Sequence, residues 1–219
     1  RLVRAPAVDA PPGKYPNPWL SGYLDPEHAS VHLETVRGCP AGCVYCAYRR
    51  AHPHPRIMGA PAVLELLEGL ASGNADEVVF LDPTFNSRPD LIPLLRGMRE
   101  LDMDFFCELR GDLVTAETAV MIRDAGFTSV EIGLQSCNRN ALRLSGRPGD
   151  PLRVLQGALL LKEAGVTPVI DIMLGLPGDT PDDAVRTALM VRDMDLHRHI
   201  QVFHISALPG TPLRRELRD

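Results

Sequence analysis

Three cysteines crowd together near the start of the chain, at a spacing typical of a metal-binding loop. Cys39, Cys43 and Cys46 are separated by three and then two residues, in a stretch rich in glycine and proline that can fold sharply. A 4Fe–4S cluster takes one ligand per iron, so three thiolates would leave one iron open to an exchangeable ligand. Three alternatives remain. One is a structural zinc site completed by His52 or His54; the second is a ferredoxin-type cluster, whose run C-x₂-C-x₂-C-x₃-C-P is absent. The third is a set of buried thiols without a metal, which so polar and glycine-rich a loop does not favour.

The composition narrows the class of protein. The chain has 219 residues, of which 45% are hydrophobic and 23% are charged, enough for one substantial α/β domain. A net charge of −5 without blocks of like charge does not indicate a nucleic-acid or membrane surface. No apolar run is long enough to span a bilayer. Five cysteines with three in a cluster favour metal binding over a secreted disulfide framework, so we expect a cytoplasmic protein.

The domain organisation follows from a change in composition near residue 26. Residues 1–26 are rich in proline, glycine and asparagine, which predicts a linker. Because the chain begins at Arg1 and not at methionine, we expect this linker to follow a further N-terminal domain. Residues 27–219 form the predicted core domain, whose C-terminal end we expect to be incomplete.

From residue 31 onward, β-prone runs alternate with helical stretches at intervals of roughly 30 residues, as parallel βα units do. Helix signals include Asp150-Pro151 at one start, Gly165 at its end, and Thr180-Pro181 at another start. The pattern predicts an α/β fold, either an open doubly wound sheet or a partial (β/α)6 TIM-like barrel. The six predicted strands cover residues 31–36, 77–81, 105–109, 129–134, 169–174 and 200–208.

Polar residues within or just beyond these strands favour the barrel, because (β/α) barrels place their chemistry at the carboxyl ends of the strands. A lone carboxylate such as Asp171 inside an apolar strand is costly unless something pairs with it. Such residues on successive strands predict one shared site. They are Glu34, Asp82, Glu108, Gln135, Asp171 and His204.

The motif C-x₃-C-x₂-C directly after the first strand, with Tyr45 before its last cysteine, resembles the signature of the radical SAM superfamily. The segment from Glu34 through Arg37 to Pro40 resembles the branch that carries an N-terminal cobalamin-binding domain. Three further segments are similar to that branch and to the oxygen-independent coproporphyrinogen dehydrogenases. They are residues 131–136, 171–180 and 208–212.

The resemblance implies a set of residues that contact S-adenosylmethionine (SAM). The turn at Asp82 takes the place of a glycine-rich turn that binds the methionyl amino group; it lacks the glycines, so Asp82 would substitute by charge. Gln135, Arg147 and Asp171 lie where the porphyrin enzymes contact SAM, with Arg147 suited to the methionyl carboxylate and Asp171 to the ribose hydroxyls. Glu108 would face SAM or the substrate.

The implied activity is reductive cleavage of SAM to a 5′-deoxyadenosyl radical, followed by hydrogen abstraction from a small-molecule or peptide substrate. The implied cofactors are a 4Fe–4S cluster and SAM, with cobalamin in the preceding domain supporting methyl transfer. A flavodoxin or ferredoxin would supply the electron. Two alternatives stay open: a zinc-stabilised binding module without catalysis, and an oxidase similar to the coproporphyrinogen dehydrogenases.

Overall fold

The computed structural model describes residues 12–14, 16–48, 52, 54–147 and 149–217. In the part of the predicted linker that it describes, the Asn17 side chain accepts a hydrogen bond from the Trp19 amide at 2.9 Å and closes a turn. Trp19 packs against the core, and Leu20 lies beside Gly69 on the first long helix. The predicted linker therefore touches the core domain near its end, whereas residues 1–11 lie outside the described residues.

Strands and helices alternate along the chain as the sequence predicts. The strands are β1 (Ser30–Leu33), β2 (Val36–Arg37), β3 (Arg56–Ile57), β4 (Glu77–Phe80), β5 (Asp104–Phe106), β6 (Glu108–Leu109), β7 (Ser129–Gln135), β8 (Thr167–Leu174) and β9 (Ile200–His204). The helices are α1 (Ala60–Ser72), α2 (Leu91–Met98), α3 (Ala116–Asp124), α4 (Arg139–Leu144), α5 (Pro151–Ala164), α6 (Pro181–Asp193) and α7 (Pro212–Glu216).

Parallel pairing joins all the strands except β2 and β3 in chain order. One parallel sheet has the order β1-β4-β5 and the other β6-β7-β8-β9, while β2 and β3 form a separate antiparallel pair. The two parallel sheets are linked because β5 and β6 are two halves of one strand interrupted at Cys107, whose carbonyl oxygen accepts the Glu131 amide at 3.0 Å. The order never reverses, as it would in a doubly wound sheet. The fold is therefore the partial (β/α)6 barrel.

Strand boundaries differ from the prediction at both ends of the barrel. The first strand stops at Leu33, because Val36–Arg37 turns away to pair antiparallel with Arg56–Ile57. The last strand ends at His204 and not at residue 208. The predicted helix starts are confirmed: the side chains of Asp150 and Thr180 accept hydrogen bonds from the first-turn amides.

The hydrophobic core lies between the strands and the surrounding helices, and the opposite face of the strands lines the barrel interior. Four phenylalanines form an aromatic cluster in this core, with neighbouring ring centroids 4.7–6.2 Å apart: Phe80, Phe85, Phe105 and Phe127. On β7 the alternate residues Val130, Ile132 and Leu134 are buried in this core. Their neighbours therefore face the interior. None of the helices in the described residues is both long and apolar enough to cross a membrane.

Candidate active site

A cavity of about 160 Å³ lies inside the barrel, at the carboxyl ends of the strands. Eight of the residues that the sequence singles out line it together: Cys39, Cys43, Tyr45, Cys46, Glu108, Gln135, Arg147 and Asp171. Three others that were predicted to share the site, Glu34, Asp82 and His204, do not line the cavity.

The cysteine loop, residues 38–46, forms one wall of this cavity, and its three cysteines are free, half-buried thiols. Gly38 adopts a φ of +110°, and a side chain there would meet the carbonyl oxygen of His54 at 2.8 Å, so glycine is required. Glu34 holds the start of the loop: it accepts a hydrogen bond from Arg37 Nε at 2.8 Å and another from the Tyr48 hydroxyl at 3.1 Å. Glu34 thus supports the loop from outside the cavity.

The middle of the cysteine loop is held by the turn after α4 and by α7. The Val44 amide donates to the Ser145 carbonyl oxygen at 2.9 Å, and the Val44 carbonyl accepts the Leu213 amide at 3.1 Å. Gly146 approaches so closely that an added Cβ would lie 2.5 Å from the Gly42 carbonyl oxygen. Segments distant in the sequence therefore fix the loop in place.

Asp82 anchors the entrance of the cysteine loop. Its side chain is fully buried, and Oδ1 accepts the amides of Thr35 at 2.7 Å and Val36 at 2.8 Å while Oδ2 accepts the Thr35 hydroxyl. Burial raises the pKa of Asp82, and these hydrogen bonds oppose the rise. Both oxygens are thus engaged by Thr35 and Val36, directly after β1. This placement departs from the expectation that Asp82 replaces the glycine-rich turn as a SAM contact.

Arg147 crosses the cavity from the turn after α4 to the inner wall. Its Nη2 donates to the Gly133 carbonyl oxygen, and a side chain at position 133 would collide with the guanidinium at 2.5 Å. Burial alone would lower the pKa of Arg147, but Tyr45 and Cys43 raise it above its ordinary value. Gly133 therefore makes room for a fixed positive charge beside Cys43 of the cysteine loop.

Three carboxyl groups face one another on the inner wall opposite the cysteine loop. The pKa of Asp171 is raised to about 8; burial is the largest cause, and the hydrogen bond with Glu131 and the charge of Glu131 add to it. Desolvation inside the barrel and the charge of Glu131 raise the pKa of Glu108 to about 7. Arg147 opposes both shifts. Only 6% of Asp171 is exposed, yet its Oδ1 has no hydrogen-bond partner within the described residues, and the same holds for the buried Oε1 of Gln135.

Sequence reasoning missed several residues that line this cavity, chiefly Glu131, Thr84 and the pair formed by Arg110 and Asp112. In that pair Nη2 and Oδ2 are 2.5 Å apart. Alternation along β7 could have found Glu131, since it lies on the same face as Gln135. No comparable signal marks Arg110 and Asp112, which lie at the start of a 3₁₀ turn, Gly111–Leu113, after β6.

The zinc alternative receives no support from the histidines. His54 is exposed, and His52 Nδ1 lies 3.3 Å from Arg56 Nη2. Neither lines the cavity with the cysteines. Within the part of the chain that the structure describes, no three histidine, cysteine, aspartate or glutamate side chains converge on a position for a single metal ion. A cubane spreads its thiolate ligands more widely than one small ion does.

Comparison with known proteins defines the family. Residues 33–191 match the model of the Radical SAM superfamily, so the chain belongs to this superfamily. It is 24% identical over 189 residues to an uncharacterised methyltransferase of Pyrococcus horikoshii, covering 82% of this chain and 40% of that protein. It is also 21% identical over 174 residues to the GTP 3′,8-cyclase of Listeria monocytogenes, covering 78% of this chain and 52% of that one.

Solved structures share the fold. The radical SAM methyltransferase TsrM from Kitasatospora setae, solved with cobalamin and a [4Fe-4S] cluster, superposes with a TM-score of 0.79 at 19% identity, over 86% of this chain and 39% of that one. Coproporphyrinogen III oxidase from Escherichia coli, a radical SAM enzyme, superposes with a TM-score of 0.67 at 20% identity. The match covers 94% of this chain and 51% of that one. The chain thus spans about half or less of each of these proteins.

The superfamily implies a 4Fe–4S cluster with SAM, and the residues of this cavity fit both groups. Three free thiols from one loop face the cavity and supply the soft ligands that iron–sulfur clusters take. The buried acceptors Asp171 Oδ1 and Gln135 Oε1 await hydrogen-bond donors. Arg147 offers a guanidinium, which binds carboxylates in two-pronged geometry. SAM carries both hydroxyl and amino donors and a carboxylate.

Proposed function

We propose that this chain is the catalytic core of a radical SAM enzyme that holds its cluster through Cys39, Cys43 and Cys46. When bound, the reduced cluster and SAM supply a 5′-deoxyadenosyl radical that abstracts a hydrogen atom from the substrate. The observation that carries the proposal is the convergence of three free thiols with buried polar groups on one cavity, at the end of the barrel where such folds place their chemistry.

The residues of the inner wall would bind and orient SAM. Arg147, fixed by Gly133, would receive the methionyl carboxylate, and its nearness to Cys43 supports this role. Asp171 and Gln135 would accept hydrogen bonds from the ribose hydroxyls, which would satisfy their partnerless oxygens. The role of the protein is positioning and the exclusion of water and oxygen, since the cofactors supply the reactive species.

We further propose that the complete protein couples this chemistry to methyl transfer through cobalamin bound in another domain. The similarity to a methyltransferase of Pyrococcus horikoshii and to the fold of TsrM supports this reading. The substrate would be a small molecule or a peptide, the electron donor a flavodoxin or ferredoxin, and the compartment the reducing cytoplasm, where an oxygen-sensitive cluster persists.

The test is SAM cleavage by anaerobically reconstituted protein. With dithionite and SAM we expect 5′-deoxyadenosine, quantified by liquid chromatography and mass spectrometry. The triple variant Cys39→Ala, Cys43→Ala, Cys46→Ala should lose iron and cleavage together. Cys137→Ala is the matched control, because that free thiol lies outside the cavity, 3.3 Å from the Met190 sulfur. SAM cleavage that survives in the triple variant would overturn the proposal. So would a lack of SAM cleavage in the iron-loaded wild type.

A further inference from the structure

The cysteine loop touches two short surface helices, α4 and α7, on the side away from the cavity. Val44 lies between two of the three cysteines, and its amide donates to the carbonyl oxygen of Ser145, directly after α4. The Val44 carbonyl oxygen accepts the amide of Leu213 on α7. Neither Ser145 nor Leu213 lines the cavity, whereas the cysteines do. An electron that reaches the cysteine loop from outside the cavity would therefore pass these two helices.

The protein surface comes close to the cysteines at this point. Gly146 is exposed, and an added Cβ there would lie 2.5 Å from the carbonyl oxygen of Gly42, the residue before Cys43. Gly146 does not line the cavity. A protein that covers Gly146 would thus be separated from the cysteine loop by a single layer of backbone. This closeness matters because the rate of electron transfer falls steeply with distance.

The two helices carry positive charge on a protein whose net charge is −5. Arg143 on α4 and both Arg214 and Arg215 on α7 are exposed. Helix α4 has no acidic residue, and α7 has one, Glu216. Within the described residues none of the three arginines forms an ion pair. Arg143 donates instead to the neutral side chain of Asn140, at 2.8 Å. The three charges therefore stay available to a partner.

The character of this surface favours a small acidic protein over a nucleic acid. Leu144, at the end of α4, is 44% exposed, and Leu208, whose carbonyl oxygen accepts the Thr211 hydroxyl at the start of α7, is 46% exposed. Apolar side chains among unpaired cations suit the small interfaces of electron-transfer complexes, which bury less than about 1,200 Å². A nucleic acid takes contacts from many more cations along its backbone.

We propose that α4, α7 and the exposed Gly146 between α4 and α5 form the docking surface for an acidic one-electron carrier protein. The carrier is oxidised by one electron, and the cluster held by the cysteine loop is reduced by that electron; no other bond forms or breaks. The inference rests on the proposed function, because a carrier docks here only if a cluster lies behind the surface.

The test follows one electron between this protein and flavodoxin, an acidic carrier. Reconstituted protein is reduced with dithionite, freed of excess reductant and mixed anaerobically with oxidised flavodoxin. One electron then passes from the cluster to the flavin, which takes up a proton and forms the semiquinone that stopped-flow absorbance detects. Because both directions of transfer use the same docked complex, the second-order rate constant at low ionic strength reports on the surface.

Charge removal at the surface should slow this transfer. We expect the triple variant Arg143→Gln, Arg214→Gln, Arg215→Gln to lower the second-order rate constant about tenfold, since charge steering raises association rates by about 10–10³. The matched control Arg96→Gln, Arg99→Gln, Arg198→Gln removes three exposed arginines from other surfaces, and its rate constant should stay within about twofold of the wild type. Iron content and the rate of reduction by dithionite, which needs no docking, should be unchanged in both variants.

A second measurement needs no variant. Raising the salt concentration from about 20 mM to about 500 mM should slow transfer between wild type and flavodoxin about tenfold, because salt screens exposed charges. A wild-type rate constant that salt leaves unchanged would overturn the proposal, and so would a wild-type rate constant in the Arg143 triple variant. If that variant loses binding of transfer RNA while its flavodoxin rate is unchanged, the surface belongs to nucleic acid instead. A lack of SAM cleavage with dithionite counts against the proposed function, whereas these rate constants test the docking surface, so the two failures are distinguishable.

Discussion

Replacement of Asp82 distinguishes an anchor of the cysteine loop from a direct SAM contact. In Asp82→Ala the amides of Thr35 and Val36 and the Thr35 hydroxyl lose their acceptor inside the protein. A buried donor left without a partner costs about 1–3 kcal/mol. Three donors therefore cost roughly 3–9 kcal/mol, which is comparable with the total stability of a domain, about 5–15 kcal/mol. We expect this variant to fail to fold or to be severely destabilised.

Asp82→Asn is the more informative variant, because it keeps one oxygen for the two backbone amides. It replaces Oδ2 by an amino group that cannot accept the Thr35 hydroxyl proton, and it removes the negative charge near buried Arg88. We expect a loss of about 1–3 kcal/mol in the free energy of unfolding. It is measured by urea denaturation of the reduced apoprotein, with exposed Asp102→Asn as the control.

The anchor account also predicts a lower iron content after reconstitution of Asp82→Asn, because the cysteine loop begins directly after Thr35 and Val36. SAM affinity per iron-loaded molecule should change little. If Asp82→Asn keeps the stability and the iron content of the wild type, Asp82 does not anchor the cysteine loop. A large loss of SAM affinity at normal stability would instead support the direct contact between Asp82 and SAM that the sequence suggests.

Two further predictions concern pH and packing. Because folding raises the pKa of Asp171 to about 8 and that of Glu108 to about 7, the folded protein binds more protons than the unfolded chain above pH ~4. The free energy of unfolding, measured by urea titration at each pH, should therefore fall between about pH 4 and pH 8. It should fall less steeply in Asp171→Asn, and a rise with pH would contradict the raised pKa values. Gly146→Ala places a Cβ 2.5 Å from the Gly42 carbonyl at a φ of +64° and should cost about 1–3 kcal/mol with loss of iron retention, measured by denaturation and iron assay. Gly59→Ala, with no contact nearer than 3.8 Å, is the control, and equal behaviour of the two variants would refute the packing argument.

Much of the fold could be predicted because its determinants are local. The alternation of β-prone runs with helices, and caps such as Asp150 and Thr180, follow from short stretches of sequence. The shortened first strand could not be predicted, since Val36–Arg37 pairs with the distant Arg56–Ile57 and Asp82 accepts the Val36 amide from 46 positions away. The interruption between β5 and β6 at Cys107 likewise depends on tertiary structure, since it lies where the two parallel sheets meet.

The candidate site was predicted to the extent that its residues share a loop or a strand end. The cysteine spacing and the polar strand ends place Gln135 and Asp171 in the cavity correctly, although their roles toward SAM stay predictions. Asp82 shows the limit of this reasoning, because a carboxylate after a strand can face the cavity or bind the backbone beside it. Glu131 was overlooked because it lies deeper in β7 than the carboxyl end where barrel chemistry is expected.

The most direct test of the central claim is the electron paramagnetic resonance spectrum of the reduced, reconstituted protein with and without SAM. If Cys39, Cys43 and Cys46 leave one iron open, the wild type should give the axial signal of a reduced 4Fe–4S cluster, and SAM should change its g-values. The triple alanine variant should give no signal, and Cys137→Ala should match the wild type. A colourless protein that binds zinc, or a cluster signal that SAM leaves unchanged, would contradict the account.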